Sequence, residues 1–244
     1  MIRRFFTIIP FLALVLSGCM TVQIGGIGGD GVRGAGDVVS QSFQTGNFTA
    51  VDIRGVYRVF YRQSGEPSVT VEMQENLFEY LQVSVNDGTL LIDSDRDFNT
   101  TDANRPRVYI YAPQLTGATF SLAVSASEWD TIYAQSFFIN AEGAANINIP
   151  LEVETLDINA SGAVNLQLSG NAENASINVE GAVNVSANNL QTRNASIVLT
   201  GAGNVDIACS DTLDVVLDGV GRVRYTGDPV VNQSIFGLGT VRRN

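Results

Sequence analysis

The stretch GAVNLQL at 162–168 returns nineteen residues later as GAVNVSA at 181–187. A corner rewritten at a fixed interval is either a reused ligand-binding turn or one rung of a ladder. Working outward from it, the corner glycines are Gly143, Gly162, Gly181, Gly201, Gly219 and Gly237, at intervals of 19, 19, 20, 18 and 18. Apolar or small residues precede the corners by two and four positions, as Ala160 and Ile158 precede Gly162 and Val179 and Ile177 precede Gly181. A branched aliphatic follows each corner by four: Ile147, Leu166, Val185, Val205, Val223 and Val241.

A period of this length is too short for a pair of helices and predicts an all-β chain, a right-handed parallel β-helix or β-solenoid with coils of about 19 residues. One coil cannot bury its inward side chains alone. Coils stacked about 4.8 Å apart share a core, and six corners then imply a rod at least ~25 Å long. A sharp corner often needs positive φ, which glycine adopts at little cost.

Three residues past the corner stand Asn146, Asn165, Asn184 and Asn204, spaced to form an amide ladder if the coils stack in register. Toward the ends the slot changes, to Arg222 and Thr240 on one side and, on the other, to Arg58 after Gly55 and Trp129 in a corner read at Ala126 to Trp129. A binding turn would instead repeat acidic or aromatic groups beside the asparagine. Position two carries Ala145, Val164, Val183 and Gly203, which favours the structural ladder.

Ahead of the repeats (residues 114–243), residues 43–113 alternate with period two and read as a strand-rich unit covering one end, with a tight hairpin at Asn86-Asp87-Gly88. Residues 43–243 are thus one domain. Residues 19–42 read as a linker, whose GGIGGDGVRGAG at 25–36 is a flexible tether. Its likeness to a dinucleotide-binding loop lacks the flanking strand and helix.

Residues 1–18 read as a signal peptide, with Arg3 and Arg4 before an apolar run too short to span a bilayer comfortably. Leu16-Ser17-Gly18-Cys19 matches a bacterial lipobox, which predicts cleavage before Cys19, acylation of that residue and anchoring to a membrane. Met20, where aspartate would signal inner-membrane retention, points to an outer-membrane lipoprotein. Cleavage removes two arginines and no acid, taking the net charge from −11 to −13 and arguing against nucleic acid as a partner.

The chain has no His and no Lys, which excludes Ser-His-Asp and Cys-His catalysis, a lysine Schiff base and His-ligated zinc. No cofactor is expected. With Cys19 acylated, Cys209 stands alone and reads as a buried small residue.

Asp93, Asp95 and Asp97 alternate as calcium-loop ligands do, but Phe98 occupies the glycine position of such a loop and Asn104 that of its bidentate acid, so a solvated acidic loop is the plainer reading. Arg222 and Arg224 share a strand face, with Arg242 read as stacking beside them. The acids near the corners, Glu142, Glu180, Asp206 and Asp218, are read as not sharing one repeat position, which leaves no catalytic carboxylate cluster.

Together, the lipobox, the alternating unit, SGAVN at 161–165, EGAVN at 180–184, TGAGN at 200–204, GVGRVRYTGDP at 219–229 and GLGTVRR at 237–243 resemble the bacterial family called putative auto-transporter adhesin, head GIN domain. The resemblance spans about residues 43–243, departs at Ala126, Trp129 and Asp130, and implies a right-handed parallel β-helix on a cell-envelope protein. The expectation is a non-enzymatic envelope lipoprotein presenting a β-solenoid to protein or glycan. A polysaccharide-processing β-helix enzyme and a purely structural envelope component are the alternatives.

Overall fold

The computed structural model describes residues 31–244. The signal peptide, Cys19 and the first part of the linker lie outside the described residues. Nearly all of the rest is strand: β1 (Val32–Arg33), β2 (Val38–Gln44), β3 (Ala50–Gln63), β4 (Ser68–Gln74), β5 (Leu81–Asn86), β6 (Thr89–Ser94), β7 (Phe98–Asn99), β8 (Arg107–Ala112), β9 (Gly117–Trp129), β10 (Ile132–Thr226) and β11 (Val230–Arg243). The sheet runs in the open order β11-β10-β9-β3-β8-β4-β2 without closing into a barrel, and β6 and β5 branch from β3. Among the described residues no helix is long and apolar enough to cross a membrane.

The 95 residues of β10 wind past one another in tiers, each alternating buried and exposed positions along its arms. Val164, Leu166 and Leu168 point into the core while Asn165 and Gln167 point out, as the pleat requires. Parallel registers tie Gly55 to Leu122, Leu122 to Gly143 and Gly219 to Gly237. Between them the corners lie directly on one another. Gly162 has φ +99°, and a Cβ there would sit 2.5 Å from the carbonyl oxygen of Gly143. The glycine is therefore required twice, by its own dihedral and by the backbone beneath it.

Tier two departs from the expected corner. The turn falls at Leu122, with φ +77° and a side chain 56% exposed, and not at Ala126 to Trp129. Ala126 occupies the core slot, paired with Val59 and Ile147. The register between β3 and β9 then shifts past Val59, so that Phe60 pairs with Glu128 and Ser127 is the extra residue of a bulge. That bulge turns Trp129 inward, where its indole N–H donates to the Val59 carbonyl at 3.1 Å and its ring packs on Tyr61 and Phe120.

The N-terminal side of the stack is closed. The outer edge of β3 takes β6 and β8 in parallel; β8 then takes β4, β4 takes β2, and β6 takes β5, all antiparallel. Asp87 and Gly88 both have positive φ in the two-residue β5–β6 turn, the geometry that matches strand twist. Tyr57, Tyr61, Leu90, Ile92 and Ile110 are fully buried here. Burial, aided by Asp130, pushes the Tyr61 hydroxyl up to about 12.

The linker boundary also moves. Strand β2, whose residues 38–42 fall in the expected linker, pairs with Ser68–Gln74, and its mostly exposed outer-edge position explains its weak apolar alternation. Residues 31–36 are tied as well. Val32 N–H donates to the Asp97 carbonyl at 2.7 Å, and the Asn76 amide accepts from Ala35 N–H at 2.7 Å and donates to the Arg33 carbonyl at 2.9 Å.

Candidate functional site

Because tiers stack in register, each outward position becomes a column down the molecule. Three past the corner, Asn184 donates to Asn165 at 3.3 Å and Asn204 donates to Asn184 at 3.1 Å. Asn146 pairs in register with Ser125, and Ser125 with Arg58, so the column runs from arginine through serine to asparagine. At the far end Arg222 pairs with Thr240.

A second amide column stands three residues before the corner. Asn159 donates to Asn140 at 3.1 Å and Asn178 to Asn159 at 3.4 Å. The nineteen-residue spacing of these three is present in the sequence but lies outside the GAxN motif. They floor a groove of about 400 Å³ whose wall includes Glu142, Ser161, Glu180 and Thr200.

That wall corrects the reading of the acids. Glu142, Glu180 and Asp218 each immediately precede a corner glycine and do share one repeat position, while Asp206 does not. Ser161 and Thr200 fall between them, so consecutive acids stand two tiers apart, about 10 Å. Asp206 is committed elsewhere. It accepts two hydrogen bonds from Arg224 at 2.5 Å, which hold that guanidinium above its ordinary pKa.

The arginines are likewise placed by register. Arg242 stacks directly on Arg224, eighteen residues before it, and lies diagonally from Arg222, which pairs with Thr240. Arg243 pairs with Asp228 at 3.1 Å, whereas Arg222 and Arg242 are exposed and have no carboxylate partner among the described residues. At the other end Arg54 pairs with Asp52, Arg58 with Asp102, and Arg62 with Glu128 and Asp130.

Asp93, Asp95 and Asp97 are drawn to separate partners. Asp93 accepts from the Ser94 N–H at 2.7 Å and lies 3.9 Å from Arg54; Asp95 accepts from Gln82; Asp97 gives its carbonyl to Val32. Among the described residues no three His, Cys, Asp or Glu side chains converge as a metal cluster. Cys209 is buried, with its sulfur 3.1 Å from the Thr212 carbonyl and 3.3 Å from that of Arg193.

The last tier breaks the columns. The position before the corner reads Ser121, Glu142, Ser161, Glu180, Thr200 and Asp218, then Phe236; the position after it reads Ala123, Ala144, Ala163, Ala182 and Ala202, then Val220 and Leu238. Phe236 is 61% and Leu238 82% exposed, and Ile235, which faces the core, is still 38% exposed. Val220, Leu238, Arg222 and Thr240 border a groove of about 490 Å³.

The model of the family described as "Putative auto-transporter adhesin, head GIN domain" matches residues 47–229. Among solved structures, a putative adhesin from Bacteroides fragilis superposes with a TM-score of 0.83 at 23% identity, covering 88% of this chain and 100% of that one. A putative adhesin from Parabacteroides distasonis superposes with a TM-score of 0.66 at 23% identity, covering 88% of this chain and 100% of the other. A putative lipid binding protein from the same species reaches 0.63 at 18% identity, covering 87% and 99%. At these identities the likeness establishes a shared fold. No curated protein matches the chain.

Proposed function

The chain belongs to the head GIN domain family, and from that premise we propose a non-enzymatic binding protein of the bacterial cell envelope. The tiers are read as coils of a right-handed parallel β-helix, anchored to an outer membrane by acylated Cys19. The repeated columns are scaffold, because their buried side chains and amide ladders serve the neighbouring tier. The observation that carries a binding role is the last two tiers, where columns of polar residues and alanine give way to exposed Val220 and then Phe236 and Leu238.

Retention of an envelope component on the immobilised acylated protein, tested beside a Cys19→Ala variant, is the direct experiment. The reading predicts specific retention that survives loss of the acyl chains. Failure to retain any envelope protein or glycan would overturn it.

A second reading, polysaccharide hydrolysis, draws on Glu142 and Glu180 in one polar groove. Turnover of any member of a glycan panel, lost in Glu142→Gln and Glu180→Gln, would establish that reading over the first.

A further inference from the structure

Among the described residues strand β11 is hydrogen-bonded along one edge only, to Thr212–Tyr225 of β10, and forms the end of the sheet. Its other edge is a row of backbone donors and acceptors fourteen residues long, bent at Gly237 where φ is +125°. Natural proteins blunt such an edge with a cover, a bulge or short length, because it templates pairing with another strand. Here it is long and flanked by the largest exposed aliphatic side chains of the terminal tier.

The arm after the corner shows what would fit. Leu238, Thr240 and Arg242 project on the outer face, above Val220, Arg222 and Arg224 of the tier beneath, while Gly239 and Val241 face the core side. Arg224 is neutralised by Asp206, but Arg222 and Arg242 carry uncompensated charge on a chain whose net charge is −11. A strand laid on this edge places alternate side chains beside Leu238, Thr240 and Arg242. An aliphatic group suits the first and a carboxylate the last.

We propose that the free edge of β11 docks an extended, acidic segment of a partner protein by β-strand addition, with Leu238 and Phe236 covered by its apolar side chains and Arg222 and Arg242 meeting its carboxylates. The proposal rests on the binding reading above and gives it a partner chemistry. A second copy of the chain fits less well. The β11 of a second copy carries no Asp or Glu to meet Arg222 and Arg242.

The test is a display library of randomised twelve-residue peptides panned on the full chain. Enriched clones are expected to be rich in β-branched residues and in Asp or Glu, and to bind more than about tenfold more weakly to an Arg222→Glu/Arg242→Glu variant and to a Leu238→Asn variant. Panning on the charge-reversed variant should enrich basic peptides instead. These positions are exposed, and unchanged circular dichroism confirms that the variants fold. No enrichment, clones without acidic bias, or clones that bind the variants equally well would overturn the proposal. So would sedimentation of the wild-type chain as a dimer that Leu238→Asn dissolves, which assigns the edge to a second copy. If envelope material is retained while no peptide engages β11, the docking site fails and the binding reading stands; if neither is seen, both fail.

Discussion

The two ends of the stack meet the same problem in opposite ways. At the N-terminal end the outer edge of β3 is paired with β6 and β8, and aromatic and aliphatic side chains beneath it are sealed. At the C-terminal end the edge of β11 has no strand partner among the described residues, and Ile235, in a core-facing position, remains partly open. A stack that needed only to stop could have been capped at both ends. The difference separates scaffold from surface: repeated columns are constrained by the tier beside them, and the last tier is released from that constraint.

Matched truncations at the two ends should give the largest contrast. Ile92→Ala, at a fully buried position of the closed end, is expected to lower unfolding free energy by about 3 to 4 kcal/mol, because it leaves a cavity between strands. Ile235→Ala should cost less than about 1 kcal/mol, since its side chain is only partly removed from water. Chemical denaturation measures both, and equal losses would erase the distinction between the ends.

Corner glycines sharpen the same contrast. Gly162→Ala sets a Cβ 2.5 Å from the Gly143 carbonyl at positive φ, with tiers above and below to resist adjustment, and should cost about 3 kcal/mol or more. Gly237→Ala meets the Gly219 carbonyl at 2.4 Å, yet its tier is free on the far side and can shift, so about 1 to 2 kcal/mol is expected. Gly46→Ala, with nothing within 4 Å, is the neutral control.

Interior ladders should matter less. Asn184→Ala removes both hydrogen bonds of the exposed amide column, for about 1 kcal/mol in all, measured by the same denaturation. Alkaline pH probes the closed end alone. Burial raises the Tyr57 and Tyr61 hydroxyls above their unfolded value, the latter to about 12, so the folded state favours the neutral phenols. Their contribution is intact below about pH 10 and is lost as pH rises through the folded values. Stability followed from pH 8 to 12 should fall above 10, and Tyr61→Phe should remove part of that fall.

What the sequence disclosed follows from the same physics. Corner glycines and the aliphatics four residues on were legible because a stacked backbone and a core each admit few residue types. Leu122 was not, since a corner that tolerates a side chain carries no glycine to mark it, and it precedes Gly143 by 21 residues, outside the 18-to-20 spacing of the glycine corners. Strand β2 was hidden by its exposure on the outer edge. For the candidate site, the arginines were visible in composition, but only the register showed that Arg242 stacks on paired Arg224 while Arg222 lies under Thr240. Phe236 and Leu238 sit beside a glycine that fits the repeat, and their meaning appears only against the polar and alanine columns they end.

The most direct test is backbone amide hydrogen exchange on the full chain with and without an acidic peptide selected by panning. The account predicts slowed exchange within residues 230–243 and unchanged exchange along the columns at 140–204. Protection in the groove of Asn140, Asn159 and Asn178, with β11 unaffected, would contradict it.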